Sequence, residues 1–246
     1  MLEKICKLAR DTGHLIMNFY LHKKLIKIFY KTDNTPVTNV DYEANNIIKK
    51  TLLLITPNIP IISEEDSDNI SSYYNYQDYW LIDPLDGTKE FLNNNGDFTV
   101  NISLVKNNIP VIGVIYAPFF DFLYFSMYQK AWKEIHGIRK KIQAVNSTPP
   151  LVVVSRSHFD KKTDNYLNNL GKHTVKKIGS SLKFCYIADG QAQIYPRFGN
   201  TSIWDTAAGH AIVIASGGIV KTWTEKELTY KLSSSFINPG FCARAQ

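Results

Sequence analysis

Cysteine is scarce in this chain: its 246 residues include only Cys6, Cys185 and Cys242, an odd number at wide spacing. Three widely spaced cysteines favour neither a disulfide framework nor a cysteine-ligated zinc site, and they indicate a reducing compartment. The sequence also lacks an apolar run of the roughly 18 residues that a membrane-spanning helix requires. Its first residues lead into a helical pattern rather than a signal peptide. We therefore predict a cytoplasmic protein without an integral membrane segment, while peripheral attachment to the cytoplasmic face of the inner membrane stays open.

Long runs of like charge are also missing, although the chain is basic overall. It carries 28 Lys and Arg against 22 Asp and Glu, a formal net charge of +6. A basic balance suits nucleic acid, a membrane surface or a polyanionic small molecule. Because the lysines are scattered and no basic tail is present, we expect no nucleic-acid partner.

The order of predicted elements divides the chain into two parts. Residues 2–20 and a segment after residue 38, with Asp41 in its first turn, have helical periodicity. Residues 25–31 are predicted as a strand, and residues 97–134 alternate as an antiparallel meander. From residue 151 onward, short apolar strands alternate with helices up to a last clear strand at residues 218–223, which is typical of an α/β layer. We predict an α+β half over residues 1–148 and an α/β half over residues 149–246.

Residues 80–91 contain the strongest chemical motif. A short apolar strand leads into a predicted turn in which Asp83 and Asp86 lie three residues apart. Two carboxylates about 4 Å apart repel by roughly 4 kcal/mol at an effective dielectric near 20, which favours a bound cation. Acidic oxygens without a neighbouring Cys or His suit Mg²⁺. Gly87 and Thr88 would offer free backbone N–H groups to a phosphate at a helix start. The alternative is an ordinary Asp-Pro-Gly turn.

Two further acids are candidates for the same chemistry. Glu64 follows an apolar strand, where it either turns inward to a metal or belongs to a solvated loop. Asp205 lies where a helix begins, and it is either a metal ligand or a first-turn acid favoured by the helix dipole. Spacing alone leaves both alternatives open.

The combination of motifs is more specific than any one of them. Besides residues 63–66, 80–91 and the segment around Asp205, it includes residues 32–38, 96–102, 113–118, 154–158, 178–185, 190–199 and 238–241. This set covers nearly the whole chain and resembles the inositol monophosphatase superfamily, which comprises Mg²⁺-dependent, lithium-sensitive phosphomonoesterases. The second-half segments are most similar to its bacterial CysQ-type 3′(2′),5′-bisphosphate nucleotidases. The resemblance implies a layered α-β-α-β-α sandwich.

The resemblance also implies roles for individual residues. Glu64, Asp83 and the backbone carbonyl of Leu85 would hold one Mg²⁺. Asp83, Asp86 and Asp205 would hold a second ion, and a third, more weakly bound ion would be held through Glu64. The attacking water would be positioned by Asp33 and Thr38, with Thr88 close to it. The residues implied to contact substrate are Glu64, Leu85, Asp86, Gly87, Thr88, His158, Ser181, Lys183, Arg197 and Asp205.

Specificity is expected from the second half. Ser181 would bond the nucleotide, Lys183 and Arg197 would meet a non-scissile phosphate, and His158 would pack against adenine. The alternatives are solvated surface charges for Lys183 and Arg197 and an uninvolved side chain for His158. Arg suits phosphate because its planar group donates two parallel hydrogen bonds.

The predicted function is hydrolysis of adenosine 3′,5′-bisphosphate to AMP and phosphate, extending to 3′-phosphoadenylylsulfate, in sulfur metabolism. One alternative is an inositol- or sugar-phosphate phosphatase on the same scaffold, because the metal motif does not separate the two. An alternative of another class is a nucleotide- or nucleic-acid-binding module without chemistry. The expected partner is a small nucleotide, and the sequence leaves a monomer and a homodimer equally open.

Overall fold

A computed structural model describes residues 1–66, 73, 76–157, 160–233 and 235–246. In these residues the helices are α1 (Leu2–Leu21), α2 (Asn39–Ile55), α3 (Thr88–Leu92), α4 (Lys161–Asn169), α5 (Leu182–Ala188) and α6 (Ile203–Ala215). The strands are β1 (Ile28–Tyr30), β2 (Pro36–Thr38), β3 (Ile61–Ser63), β4 (Asp78–Asp86), β5 (Thr99–Lys106), β6 (Ile109–Ala117), β7 (Phe122–Met127), β8 (Lys130–Ile135), β9 (Ile138–Lys141), β10 (Leu151–Ser155), β11 (Thr174–Ile178), β12 (Ile194–Arg197), β13 (Ile219–Thr222) and β14 (Phe241–Arg244).

The first sheet contains seven strands in chain order from β3 to β9, with β3 parallel to β4 and the other pairs antiparallel. β4 is apolar on both faces, because the sheet is covered on both sides. Trp80 and Ile82 pack with α1 and α2, whereas Tyr79 and Leu81 pack on the opposite side. This alternation follows from the two-residue period of a strand.

The second sheet has the order β11-β10-β12-β14-β13 and is mixed. β10 is parallel to β11 and β12, whereas β14 pairs antiparallel with β12 and β13. The prediction of residues 218–223 as the last clear strand was therefore incomplete. β14 has only four residues; the Asn238-Pro239-Gly240 segment before it is a turn signal, but the strand itself is defined by its pairing with β12 and β13.

α5 and α6 lie between the two sheets, and α4 covers the outer face of the second. α6 is buried nearly all round. A Cβ added at Gly113 on β6 would lie 2.2 Å from the carbonyl oxygen of Ala208, so the helix meets the first sheet at backbone contact. The outer face of β10 packs on Leu167 of α4. This arrangement confirms the layered α-β-α-β-α sandwich. Helices of the second half pack directly on the first sheet, so the two halves share one core. The division at residue 148 stays a prediction.

Two local predictions near the site need correction. Residues 83–86, predicted as a turn, belong to β4, which continues to Asp86 through a register shift against β5. The chain turns at Gly87, whose φ of 92° is in the left-handed region. Residues 25–31, predicted as one strand, contain the end of a short 3₁₀ helix (Lys23–Leu25) and then β1.

Candidate active site

A cluster of three carboxylates lies at the end of β4. Glu64, Asp83 and Asp205 each place a carboxylate oxygen within 4.8 Å of the others. Glu64 arrives from the end of β3, the parallel neighbour of β4, and Asp205 arrives from the first turn of α6. The fold therefore brings together three acids that are distant in the sequence, and in the described residues no Cys or His belongs to this cluster.

The environment of the cluster disfavours an excess of negative charge. Burial raises the pKa of Asp83 well above its ordinary value, and the charges of Glu64, Asp86 and Asp205 raise it further. Burial also raises the pKa of Asp205, and the charges of Asp86 and Glu64 add to this effect. Such carboxylates are stabilised by a hard divalent cation, which prefers oxygen ligands. The donor set therefore fits Mg²⁺.

Asp86 lies next to the cluster and also contacts the second half of the chain. Its Oδ2 accepts hydrogen bonds from the backbone N–H of Ser181 at 2.6 Å and from Asn101 Nδ2 at 3.1 Å. Burial raises the pKa of Asp86 to about 6, against the positive charge of Lys183, which lowers it. Asp86 is therefore a buried link between β4 and the start of α5 as well as a candidate ligand.

Lys31 supplies a positive charge beside the cluster that the sequence reasoning missed. Its Nζ lies 2.7 Å from Glu64 Oε1 and 3.1 Å from Glu65 Oε1. Burial alone would lower the pKa of Lys31, but the two glutamates raise it above its ordinary value. Burial and the charge of Glu64 raise the pKa of Glu65 to about 7. A single lysine among scattered lysines carried no signal in the sequence.

A hydrogen-bonded chain connects Thr88 to the start of α2. Thr88 Oγ1 donates to Asp41 Oδ1 at 3.0 Å and lies 3.2 Å from the carbonyl oxygen of Leu85. Thr38 Oγ1 donates to the other oxygen, Asp41 Oδ2, at 2.6 Å. Burial raises the pKa of Asp41 to about 6, whereas the hydrogen bonds from Thr38 and Thr88 lower it. The sequence reasoning treated Asp41 only as a first-turn acid, although the Thr38-to-Asp41 capping-box spacing was visible.

Asp33 differs from Asp41 in its surroundings. It is exposed, and its Oδ1 accepts hydrogen bonds from the N–H of Thr35 at 3.0 Å and from the Thr35 hydroxyl at 2.6 Å. These hydrogen bonds lower the pKa of Asp33. Asp33 lines the same cavity as the acidic cluster, and its role in positioning water stays a prediction.

The cavity above the cluster has a volume of about 810 Å³, and the cationic side chains in its wall include Lys183 and Arg197 from the second half of the chain. Lys183 is buried, and its Nζ donates to the carbonyl oxygens of Ser180 at 2.5 Å and Ile178 at 3.3 Å. Arg197 is also buried; its Nη2 donates to the carbonyl oxygen of Asn200 at 2.6 Å, while its Nε has no partner in the described residues. The alternative of solvated surface charges was therefore wrong for both.

The remaining predicted contacts are Gly87, Ser181 and His158. Gly87 lines the cavity at the start of α3, where a Cβ would lie 2.9 Å from the carbonyl oxygen of Asp97. Ser181 lines the cavity and donates its hydroxyl to Asn101 Oδ1 at 2.7 Å. His158 lies outside the described residues.

Comparison with known proteins identifies the family. Residues 1–243 match the model of the inositol monophosphatase family. The chain belongs to this family. It is 61% identical over 248 residues to the 3′(2′),5′-bisphosphate nucleotidase CysQ of Buchnera aphidicola subsp. Acyrthosiphon pisum (strain APS), covering all of this chain and 94% of that protein. It is 51% identical over 241 residues to the protein of the same name from Escherichia coli (strain K12), covering 98% of each.

A solved structure supports the same assignment. The crystal structure of CysQ from Bacteroides thetaiotaomicron, described as a bacterial member of the inositol monophosphatase family, superposes with a TM-score of 0.84. It shares 34% sequence identity and covers 99% of this chain and 97% of that one. The resemblance inferred from the motifs is confirmed. Among the described residues, none of the helices combines the length and apolar character needed to cross a bilayer.

Proposed function

We propose that this chain is a Mg²⁺-dependent 3′(2′),5′-bisphosphate nucleotidase that converts adenosine 3′,5′-bisphosphate to AMP and phosphate. The observation that carries the proposal is one cavity lined both by an acidic cluster and by two buried cations, Lys183 and Arg197. A substrate with two phosphates can place one against each of these groups. The names of the similar proteins support this assignment.

The residues proposed to hold Mg²⁺ are Glu64, Asp83, Asp86, Asp205 and the carbonyl of Leu85, which provide only oxygen ligands. When bound, two such ions activate water and stabilise the leaving oxygen of a phosphate ester. A third ion would be bound more weakly, through Glu64. The carboxylates provide the negative charge that retains the ions at the end of β4.

The hydroxyl of Thr88 is proposed to orient the attacking water. Because Thr88 Oγ1 donates its proton toward Asp41 Oδ1, its lone pairs are left to accept a hydrogen bond from water. Asp41 is then the acceptor that polarises Thr88, and Thr38 holds Asp41 in place. The backbone N–H groups of Gly87 and Thr88 are proposed to bind the scissile phosphate. Asp33 keeps its proposed role at the rim of the cavity.

The second phosphate is proposed to lie against Lys183 and Arg197, with Ser181 and His158 contacting the nucleoside. Both cations line the cavity, and the planar guanidinium of Arg197 suits bidentate binding of a phosphate. The same contacts would accept 3′-phosphoadenylylsulfate, whose sulfate is attached to the second phosphate. We further propose lithium sensitivity and a role in sulfur metabolism.

The test is phosphate release from adenosine 3′,5′-bisphosphate, 3′-phosphoadenylylsulfate and inositol 1-phosphate, each with Mg²⁺ and with EDTA. We expect Mg²⁺-dependent release and the highest kcat/KM with the bisphosphate. A higher kcat/KM with inositol 1-phosphate would favour the alternative of an inositol- or sugar-phosphate phosphatase. No release from any of them would favour a binding module.

Location and assembly form a second part of the proposal. We infer a cytoplasmic enzyme, because Cys6, Cys185 and Cys242 are free and buried.

Residues 21–30 contain exposed Leu25, Phe29 and other apolar side chains together with three lysines and no acid. Such a patch suits the surface of an anionic bilayer. Co-sedimentation with anionic but not neutral vesicles would support peripheral attachment, and sedimentation equilibrium would distinguish a monomer from a homodimer.

A further inference from the structure

Asp97 is a buried acid outside the metal cluster that connects the two halves of the chain. It lies between α3 and β5, and its Oδ2 accepts hydrogen bonds from Arg156 Nε at 2.9 Å, Arg156 Nη2 at 2.7 Å and the backbone N–H of Gly179 at 2.9 Å. Arg156 directly follows β10, and Gly179 directly follows β11. One carboxylate oxygen therefore holds the ends of two parallel strands of the second sheet.

Neighbouring acids of the first half hold the same two segments. Glu90 Oε1 accepts a hydrogen bond from Ser157 Oγ, and Asp86 Oδ2 accepts one from the N–H of Ser181. Gly179 is packed so closely that an added Cβ would lie 2.7 Å from Glu90 Cγ and 2.8 Å from Asp97 Cβ. The path of the chain past Gly179 is thus set by first-half side chains.

The path of the chain past Gly179 determines the position of the Lys183 side chain. Ser180, Ser181 and Lys183 line the active-site cavity, and the ammonium group of Lys183 is held by the carbonyl oxygens of Ile178 and Ser180. A shift of residues 178–181 would therefore move the ammonium group with them. Asp97 and Arg156 are not among the described residues that line the cavity. Any effect of Asp97 on the substrate must act through the segment that it holds.

We propose that Asp97 is a positioning residue that sets the preference for a second phosphate. By binding Arg156 and Gly179, it fixes residues 178–183, and so holds Lys183 at the distance at which it meets the non-scissile phosphate. Hydrogen bonds between ionised partners are shorter and stronger than neutral ones, which suits them to this task. The inference rests on the proposed function, because it assigns the second phosphate to Lys183.

The test compares adenosine 3′,5′-bisphosphate with 3′-AMP, which carries the same scissile phosphate and lacks the other. In Asp97→Asn the charge is lost while the shape is kept. We expect KM for the bisphosphate to rise roughly 10- to 100-fold, the range that corresponds to loss of the charged hydrogen bond between a displaced Lys183 and the second phosphate. The kcat/KM for 3′-AMP should stay within about twofold, so the ratio between the two substrates should fall. Arg156→Ala should reduce the ratio similarly. The ratio of the double variant should fall no further, because both changes break the same contact between Asp97 and Arg156.

Asp189→Asn is the matched control. The side chain of Asp189 is 5% exposed, compared with 10% for Asp97, and it also joins the halves, through Tyr124 at 2.8 Å and Lys133 at 2.9 Å. It does not line the described cavity, so its loss should lower stability without changing the substrate ratio.

An unchanged ratio in folded Asp97→Asn, or an equal fall in Asp189→Asn, would overturn the inference. If Asp97→Asn does not fold, an unchanged ratio in Arg156→Ala has the same consequence. A wild-type enzyme that shows no preference for the bisphosphate would instead overturn the proposed function, and the inference with it.

Discussion

His210 provides a stability prediction whose size follows from its surroundings. It lies on α6, the helix that carries Asp205, and is 5% exposed. The hydroxyl of Tyr230 donates its own proton to Thr206 Oγ1, so His210 Nδ1 donates to the Tyr230 oxygen at 3.2 Å. Burial lowers the pKa of His210 to about 4. Tyr230 is neutral at acid pH, because a tyrosine ordinarily has a pKa near 10 and burial raises the pKa of Tyr230 further.

The sign of the pH effect follows from proton binding. An unfolded histidine has a pKa near 6.5, so below that pH the unfolded chain binds a proton that the folded chain rejects until about pH 4. The contribution to stability is complete above pH 6.5 and is lost as the pH falls through this window. Because pH 5 lies about 1.5 units below the unfolded pKa, the free energy of unfolding is lower at pH 5 than above pH 6.5 by about 2 kcal/mol.

The assay is urea unfolding of the wild type and His210→Asn, both in EDTA, at pH 7.5 and pH 5. Asparagine retains an N–H for the Tyr230 oxygen and removes the titration. Buried carboxylates such as Asp83 titrate in both proteins, so their contribution cancels in the difference. Between the two pH values the wild type should lose about 2 kcal/mol relative to the variant. A difference between the two proteins that stays constant with pH would refute the assignment of a neutral, buried His210.

Three further predictions concern the site and its packing. Asp83→Asn should abolish phosphate release and raise the melting temperature in EDTA, because it removes one of several repelling buried charges; normal turnover would reject the ligand role. Thr88→Val should lower kcat roughly 100-fold while Thr88→Ser retains most activity, and equal rates for the two would argue against the hydroxyl. Gly113→Ala should destabilise the fold by roughly 1–3 kcal/mol in calorimetry through the contact with Ala208, and unchanged stability would contradict that close approach.

Much of the fold could be predicted because local patterns agree with the tertiary arrangement. α1 and α2 bury one face each, and their apolar spacing indicated it. β5 and β6 were recognisable from alternation and from the Asn107-Asn108 turn, where both residues have positive φ. β9 and β14 were missed, since each has four residues and lacks a local pattern of its own.

The site could be predicted only in part for a related reason. Asp83 and Asp86 are close in sequence, so their spacing indicated a shared cation as one of two alternatives, the other being an ordinary turn. Glu64 and Asp205 could be added only through the family resemblance, because their convergence depends on the pairing of β3 with β4 and the packing of α6. Asp41 and Asp97 were not singled out because each has an ordinary local explanation, a first-turn helix acid for one and the start of an alternating strand for the other.

Asp41 and Asp205 show how one carboxylate can serve both the fold and the chemistry. Each is the third residue of its helix and closes a capping box, Asp41 with Thr38 and Asp205 with Ser202. A capping box uses one carboxylate oxygen. The other oxygen of Asp41 accepts a hydrogen bond from Thr88 of α3, and Asp205 places a carboxylate oxygen in the acidic cluster. The helix N-termini then face concentrated negative charge, which their dipoles partly offset. The fact that an acid caps a helix is therefore weak evidence against a catalytic role for it. The cap itself fixes the carboxylate in the orientation that the site requires.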